Sequence, residues 1–135
     1  DVFVCGDTYK RLLPKVVSLT ELIQHPLIFL EPKLVSRKYV DEFLLSKGLR
    51  ISPEFEFGSH DLLLEFAKIN LGIACVTKEF SLEYLEKGIL HEVQLKERIP
   101  NRSIGICYVK NVPLSPASTK ILEIIRNHGD GSSAI

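Results

Sequence analysis

Three short stretches of this sequence carry the side chains best suited to hold a small guest. They are Lys33-Leu34-Val35-Ser36-Arg37, Gly58-Ser59-His60, and Thr77 with Lys78. Each follows an apolar run, ending at Leu30, Phe57 and Val76 respectively. Each leads into a segment with helical spacing, so free backbone N–H groups and a positive dipole end collect there. Ser36 and Ser59 read as helix N-caps whose hydroxyls can also face a guest. Arg37 would add a forked pair of charged donors, and Gly58 would let a guest approach the backbone closely. Asp61 opposes an anion at the second helix, which places the negative end of a ligand nearer Ser36 and Lys33. The plainer reading is compatible with this one. Two serines cap helices, Arg37 is a solvated charge, and His60 is a surface residue.

The chemistry expected is capture, without catalysis. The four histidines, His25, His60, His91 and His128, are far apart, and none has a Cys or His at metal-ligand spacing. Glycine-rich phosphate loops and nucleophile-elbow motifs are absent, so no catalytic residue, metal or cofactor is expected. Cys75 and Cys107 lie in apolar runs and read as core fillers.

The elements that must position these residues follow from pattern. Val2–Cys5 reads as a strand. Ser18 or Thr20 caps a short helical turn around Leu19–Ile23, stopped by Pro26. Leu27–Leu30 and Ile73–Val76 are continuous apolar runs, as strands covered on both faces would be. Glu54–Phe57 alternates, as a strand with one drier face. Helices are expected from Arg37 to about Lys47, closed by Gly48, then after Ser59 with an apolar stripe of Leu62, Leu63, Phe66, Ala67 and Ile69. A further helix is expected over Ser81–Lys87, closed by Gly88. Ile89–Leu95 and Ile104–Val109 read as strands. Ser115-Pro116 is a strong helix start, and residues 129–135 read as a flexible tail.

Alternation of strand and helix predicts an α/β fold with mostly parallel sheets and right-handed crossovers. Residues 25–100 make one complete lobe. Residues 1–24 and 101–128 are expected to form part of a second lobe carrying the hinge strands.

Composition narrows the function classes. Lys+Arg and Asp+Glu total 17 each, so the formal net charge is zero, and the basic face that DNA binding requires is missing. No apolar stretch approaches the length of a membrane span. Three unpaired-looking cysteines fit a reducing cytoplasm. With no Met and a start inside an apolar run, the chain is expected to be an N-terminally trimmed piece.

The order and wording of the segments resemble the effector-binding domain of LysR-type transcriptional regulators. The resemblance runs from about Phe3 to Arg126. It is carried by Val17-Ser18-Leu19-Thr20-Glu21-Leu22, by His25-Pro26-Leu27-Ile28 with Ser36-Arg37 and Val40-Asp41, and by Leu71-Gly72-Ile73-Ala74. Arg102-Ser103-Ile104-Gly105-Ile106 and Leu114-Ser115-Pro116-Ala117 complete it. The chain departs from the family pattern where Ile69 or Asn70 stands in place of a common Gly, and where Thr77 stands in place of Pro. The resemblance implies a fold like the type 2 periplasmic binding proteins and a cytoplasmic sensor. A small-molecule effector, often an anionic metabolite, would bind between two lobes and shift oligomer geometry on DNA. It also implies self-association, no membrane partner, and DNA contact only through a winged helix outside this chain. The competing reading is an extracytoplasmic solute-binding protein of the same fold.

Overall fold

The computed structural model describes residues 1–103 and 105–128. It divides into two compact units, Asp1–Arg102 and Ser103–Ile135.

The first unit is built on one sheet of five strands: β1 (Val2–Cys5), β2 (Leu27–Leu30), β3 (Phe55–Phe57), β4 (Ile73–Val76) and β5 (His91–Val93). Their order across the sheet is β3-β2-β4-β1-β5. β2 is parallel to β3 and to β4, whereas β1 is antiparallel to both β4 and β5. Four of the five strands therefore run in one direction. β2 and β4 are buried at every position, as their unbroken apolar runs require.

Helices cover both faces because the crossovers must keep one hand. The chain steps outward from β2 to β3 through α2 (Val35–Ser46), then back past β2 to β4 through α3 (His60–Lys68). Opposite steps with the same hand put the two helices on opposite faces. One core joins Val40 and Leu44 of α2 to Phe29, Phe3 and Cys75, with α1 (Leu19–Leu22) and the 3-10 segment Asp7–Leu12. The other joins Leu63, Leu64 and Ala67 of α3 to Ile28, Val4 and Val76, with Tyr84 and Leu85 of α4 (Lys78–Glu86) alongside.

Ser18 caps α1 as expected, its Oγ accepting from the Glu21 amide at 3.2 Å. Gly48 and Gly88 follow α2 and α4 with φ of +74° and +65°, the left-handed conformation that closes a helix at least cost for glycine. Asn70 holds φ +65° after α3. Its Oδ1 also accepts from the Thr8 amide at 2.9 Å, a bond glycine could not make.

Several details differ from the sequence expectation, among them the start of α4 at Lys78 and not at Ser81. β1, assigned with residues 1–24 to another lobe, lies inside this sheet. Phe3 and Cys5 feed one core and Val4 the other, so β1 needs cover on both faces. On α3, Leu64 is buried while Leu62 and Ile69 are exposed, a rotation of the apolar stripe that brings Leu63, Leu64 and Ala67 onto the sheet. The expected strand over 104–109 starts on a residue outside the described set. Gly105–Val109 is exposed and irregular, and no described strand offers it a ladder.

Within the second unit, α5 spans Pro116–His128. Ser115 Oγ accepts from the Ser118 amide at 3.1 Å, the cap its Ser-Pro start predicts. The tail, residues 129–135, lies outside the described residues.

Candidate functional site

Parallel strands β2, β3 and β4 end side by side, with Leu30 opposite Phe57 in the register. The three loops singled out in the sequence therefore share one edge of the sheet. In open α/β sheets this carboxyl edge is where ligands settle, since helix N-termini converge there.

Local structure decides how each residue is presented. α2 starts one residue earlier than expected, with Leu34 at the N-cap position and no side-chain cap. Ser36 is therefore the second residue of the helix and caps nothing. Its Oγ instead accepts a hydrogen bond from Arg102 Nη1 at 2.8 Å. Ser59 does occupy the N-cap position of α3, with extended backbone, but its side chain makes no cap bond. Thr77 stands at the N-cap of α4, also without a cap bond. Its Oγ1 accepts from Arg102 Nη2 at 3.0 Å and donates to Asp1 Oδ1 at 3.3 Å. A proline here would lack this hydroxyl.

Arg102 thus gathers the edge, a residue that type and spacing did not single out. Its Nη2 donates to Asp1 Oδ1 at 2.8 Å and its Nε lies 2.8 Å from Oδ2, an ion pair with a carboxylate only 3% exposed whose Oδ2 has no hydrogen-bond partner. The guanidinium also lies over the ring of Tyr39 at 5.8 Å. Tyr39 Oη in turn donates to the Pro100 carbonyl at 3.3 Å, steadying the segment that carries Arg102.

Arg37 does something different from what the sequence suggested. It is 6% exposed, and its Nε meets both oxygens of Asp41 at 2.8 and 2.9 Å. Nη1 donates to the Leu30 carbonyl at 2.7 Å and to Glu56 Oε1 at 2.6 Å, and the group lies over Phe29 at 5.1 Å. Burial alone would lower its pKa, but the hydrogen bonds to Asp41 and Glu56 prevail and raise it. With these partners engaged, Arg37 pins α2 to β2 and β3, and its fork is not free for a guest.

His60 begins α3, its ring stacked on Phe80 with centroids 4.6 Å apart. Its Nδ1 is buried and has no hydrogen-bond partner. Burial, and then the nearby Arg102 charge, hold its pKa below the usual imidazole value despite Asp61, so the neutral ring is favoured. Asp1, Ser36, Arg37, His60 and Cys75 border a narrow crevice of about 10 Å³. Lys33 lies apart from this group, exposed and paired with Glu31 at 2.7 Å. Gly58 has Glu31 at 3.6 Å from where a Cβ would stand, so it has ordinary room. Asp1 also borders a larger cavity of about 370 Å³ towards β5, lined by Lys78, Glu79, Glu92 and Arg98 among others.

The chemistry on this edge is that of hydrogen-bonding recognition: hydroxyls, one guanidinium and a neutral imidazole. Burial pushes the Cys75 thiol up to about 12 and the Cys5 thiol up to about 11, so neither supplies thiolate near neutral pH. Among the described residues no group of three His, Cys, Asp or Glu side chains is placed to hold a metal ion. No helix among them is long and apolar enough to cross a membrane.

The structure is similar to the effector binding domain of QuiR in complex with shikimate (TM-score 0.77, 17% identity, covering 95% of this chain and 60% of that one). It is similar to the CcmR regulatory domain of Synechocystis PCC6803 in complex with 2-PG (TM-score 0.77, 14% identity, 98% and 64%). HinK, a LysR family transcriptional regulator from Pseudomonas aeruginosa, superposes with TM-score 0.72 at 18% identity over 94% of this chain and 44% of that one. The chain thus spans less than two thirds of each of these relatives. At such identities the likeness establishes the fold, which is that of the type 2 periplasmic binding proteins. No curated protein sequence matches. The model of the LysR substrate binding domain matches residues 2–130, and the chain belongs to that family.

Proposed function

We propose that this chain is the effector-sensing part of a LysR-type transcriptional regulator, binding a small molecule and catalysing nothing. The observation that carries the reading is the convergence of Ser36, Thr77 and Arg102 at the carboxyl ends of parallel strands. Ser59 and His60 stand on the neighbouring helix start with polar atoms unspent. Ser36, Ser59, His60 and Thr77 contact the effector, and Gly58 lines its approach. Lys33 lies at the outer rim, and Arg37 supports the site from beneath. Membership of the LysR family favours a regulator over a transport protein of the same fold. QuiR and CcmR, caught with shikimate and 2-PG, make a small oxygen-rich metabolite the expected class.

The mechanism is a population shift in a self-associating cytoplasmic regulator, with DNA contacted through a winged helix beyond this segment. This edge is one half of a site that a second lobe completes. Only a preference of the effector for one lobe arrangement does work, because equal affinity for both shifts nothing. The test is a thermal-shift screen of small carboxylates, polyols and their amides, followed by titration of the best hit into Ser36→Ala and Thr77→Ala variants. Each variant should weaken binding by about fivefold to tenfold, one lost hydrogen bond. Unchanged affinity in both places the site elsewhere.

A further inference from the structure

The pair of Asp1 and Arg102 resembles a bound ligand that is incompletely held. Nη2 donates to Asp1 Oδ1 at 2.8 Å and Thr77 Oγ1 donates to the same oxygen, while Oδ2 lies 2.8 Å from Nε as an ion pair and is buried without a hydrogen-bond partner. Here that carboxylate belongs to the chain itself. We propose that Asp1 is an internal competitor for the effector, and that the effector carries a two-oxygen anionic group, a carboxylate or phosphate, which replaces Asp1 on Arg102. This deepens the reading above and rests on it for the location of the site.

Three observations support an exchangeable partner. Three other cations at this edge are engaged: Arg37 by Asp41, Glu56 and the Leu30 carbonyl, Lys33 by Glu31, and Lys78 by Glu92. Arg102 is a quarter exposed, and its buried carboxylate partner lines both the narrow crevice and the larger cavity. Arg102 also reaches the hydroxyls of Ser36 and Thr77. A guest on Arg102 is thereby aligned with both, and the Ser36 hydroxyl proton remains available to it.

Exchange of one carboxylate for another leaves Arg102 paired throughout. The guanidinium loses little solvation in the process, so discrimination rests on the fork geometry. An uncharged amide cannot make the exchange, since it offers one acceptor oxygen and no charge.

The experiment uses acetate as probe and the Arg102 Nε–H resonance of the 15N-labelled chain as readout. Acetate should perturb this resonance weakly in the natural chain. In Asp1→Asn it should do so at about tenfold lower concentration, within the usual range of coupling between linked sites. Acetamide should leave the resonance in place. Arg102→Lys, which keeps the charge and loses the fork, should bind acetate more weakly than the natural chain, followed by backbone amides of Ser36 and Thr77. Should Asp1→Asn not fold, Asp1→Ser serves the same purpose. Acetate affinity that is no tighter without the Asp1 carboxylate, or equal in Arg102→Lys, overturns the proposal. If Arg102 responds as described while Ser36→Ala and Thr77→Ala leave the screened hit unaffected, the exchange stands and the site assignment falls.

Discussion

Arg37 and Arg102 stand at the same edge of one sheet and serve different ends. Arg37 sits beneath the surface on the ring of Phe29, with two carboxylates and a strand carbonyl filling its fork. Arg102 sits at the rim with one carboxylate and two hydroxyls. A buried guanidinium held by two carboxylates and a strand carbonyl becomes a pin. One with a single displaceable counter-ion, flanked by neutral donors, can become a receptor. The two cannot be told apart by residue type or by local charge, because the difference lies in what residues such as Glu56, 19 positions from Arg37, and Asp1, 101 positions from Arg102, bring beside them.

That contrast can be tested from its foundation upward. Phe29→Ala removes a fully buried ring that packs edge-on against Phe3 and lies beneath Arg37. It should cost about 3–5 kcal/mol in urea unfolding, enough to unfold much of the population. Arg37→Met follows at about 2–3 kcal/mol, because the Leu30 carbonyl and two half-exposed carboxylates lose their donor. Arg102→Ala should cost less, about 1–2 kcal/mol, since water can reach the rim where the guanidinium was. The contrast between pin and receptor fails if Arg102→Ala proves the more damaging to stability, or if Arg37→Met abolishes acetate binding while folded.

Two smaller effects sharpen it. Ser18→Ala removes a genuine cap and should lower stability by about 1 kcal/mol, whereas Ser59→Ala, with no cap bond to lose, should change it by less than about 0.5 kcal/mol. Equal losses would mean that Ser59 is structural and not open to a guest. The last effect is on pH dependence. His60 has a lowered pKa when folded, so the unfolded chain takes up its proton first as pH falls. Its contribution is present above the unfolded value near 6.5 and is lost progressively from there down through the folded value. His60→Gln should flatten that part of the stability profile, and an unchanged slope between pH 7 and pH 5 would show that the ring is not desolvated.

Much of the architecture was legible because burial leaves a periodic signature. Leu27–Leu30 and Ile73–Val76 announce doubly covered strands, Ser18 and Ser115 announce helix starts, and Gly48 and Gly88 announce helix ends. The placement of β1 was less legible. Four apolar residues state that a strand is buried, and they do not state between which neighbours. The α3 stripe was misread by one position for a related reason. Leu62, Leu63 and Leu64 are equivalent by type, and only the tilt of the helix on the sheet selects which of them faces inward.

The candidate site was legible as a set of loops and not as a set of contacts. Ser36, Ser59, His60 and Thr77 could be placed at one sheet edge because helix starts after parallel strands converge by topology alone. Arg102 and Asp1 were not, since a charged residue at a loop end is usually solvated and nothing in the neighbouring sequence distinguishes these two.

What this sequence determined by itself was the succession of elements, their two-faced burial and the edge at which loops must gather. Those follow from local rules: side-chain periodicity, capping, and the fixed hand of crossovers. Tertiary structure alone decided which charges are spent and which remain available. Pairing depends on distances of a few ångströms between residues as far apart as Asp1 and Arg102, and no local pattern encodes that separation.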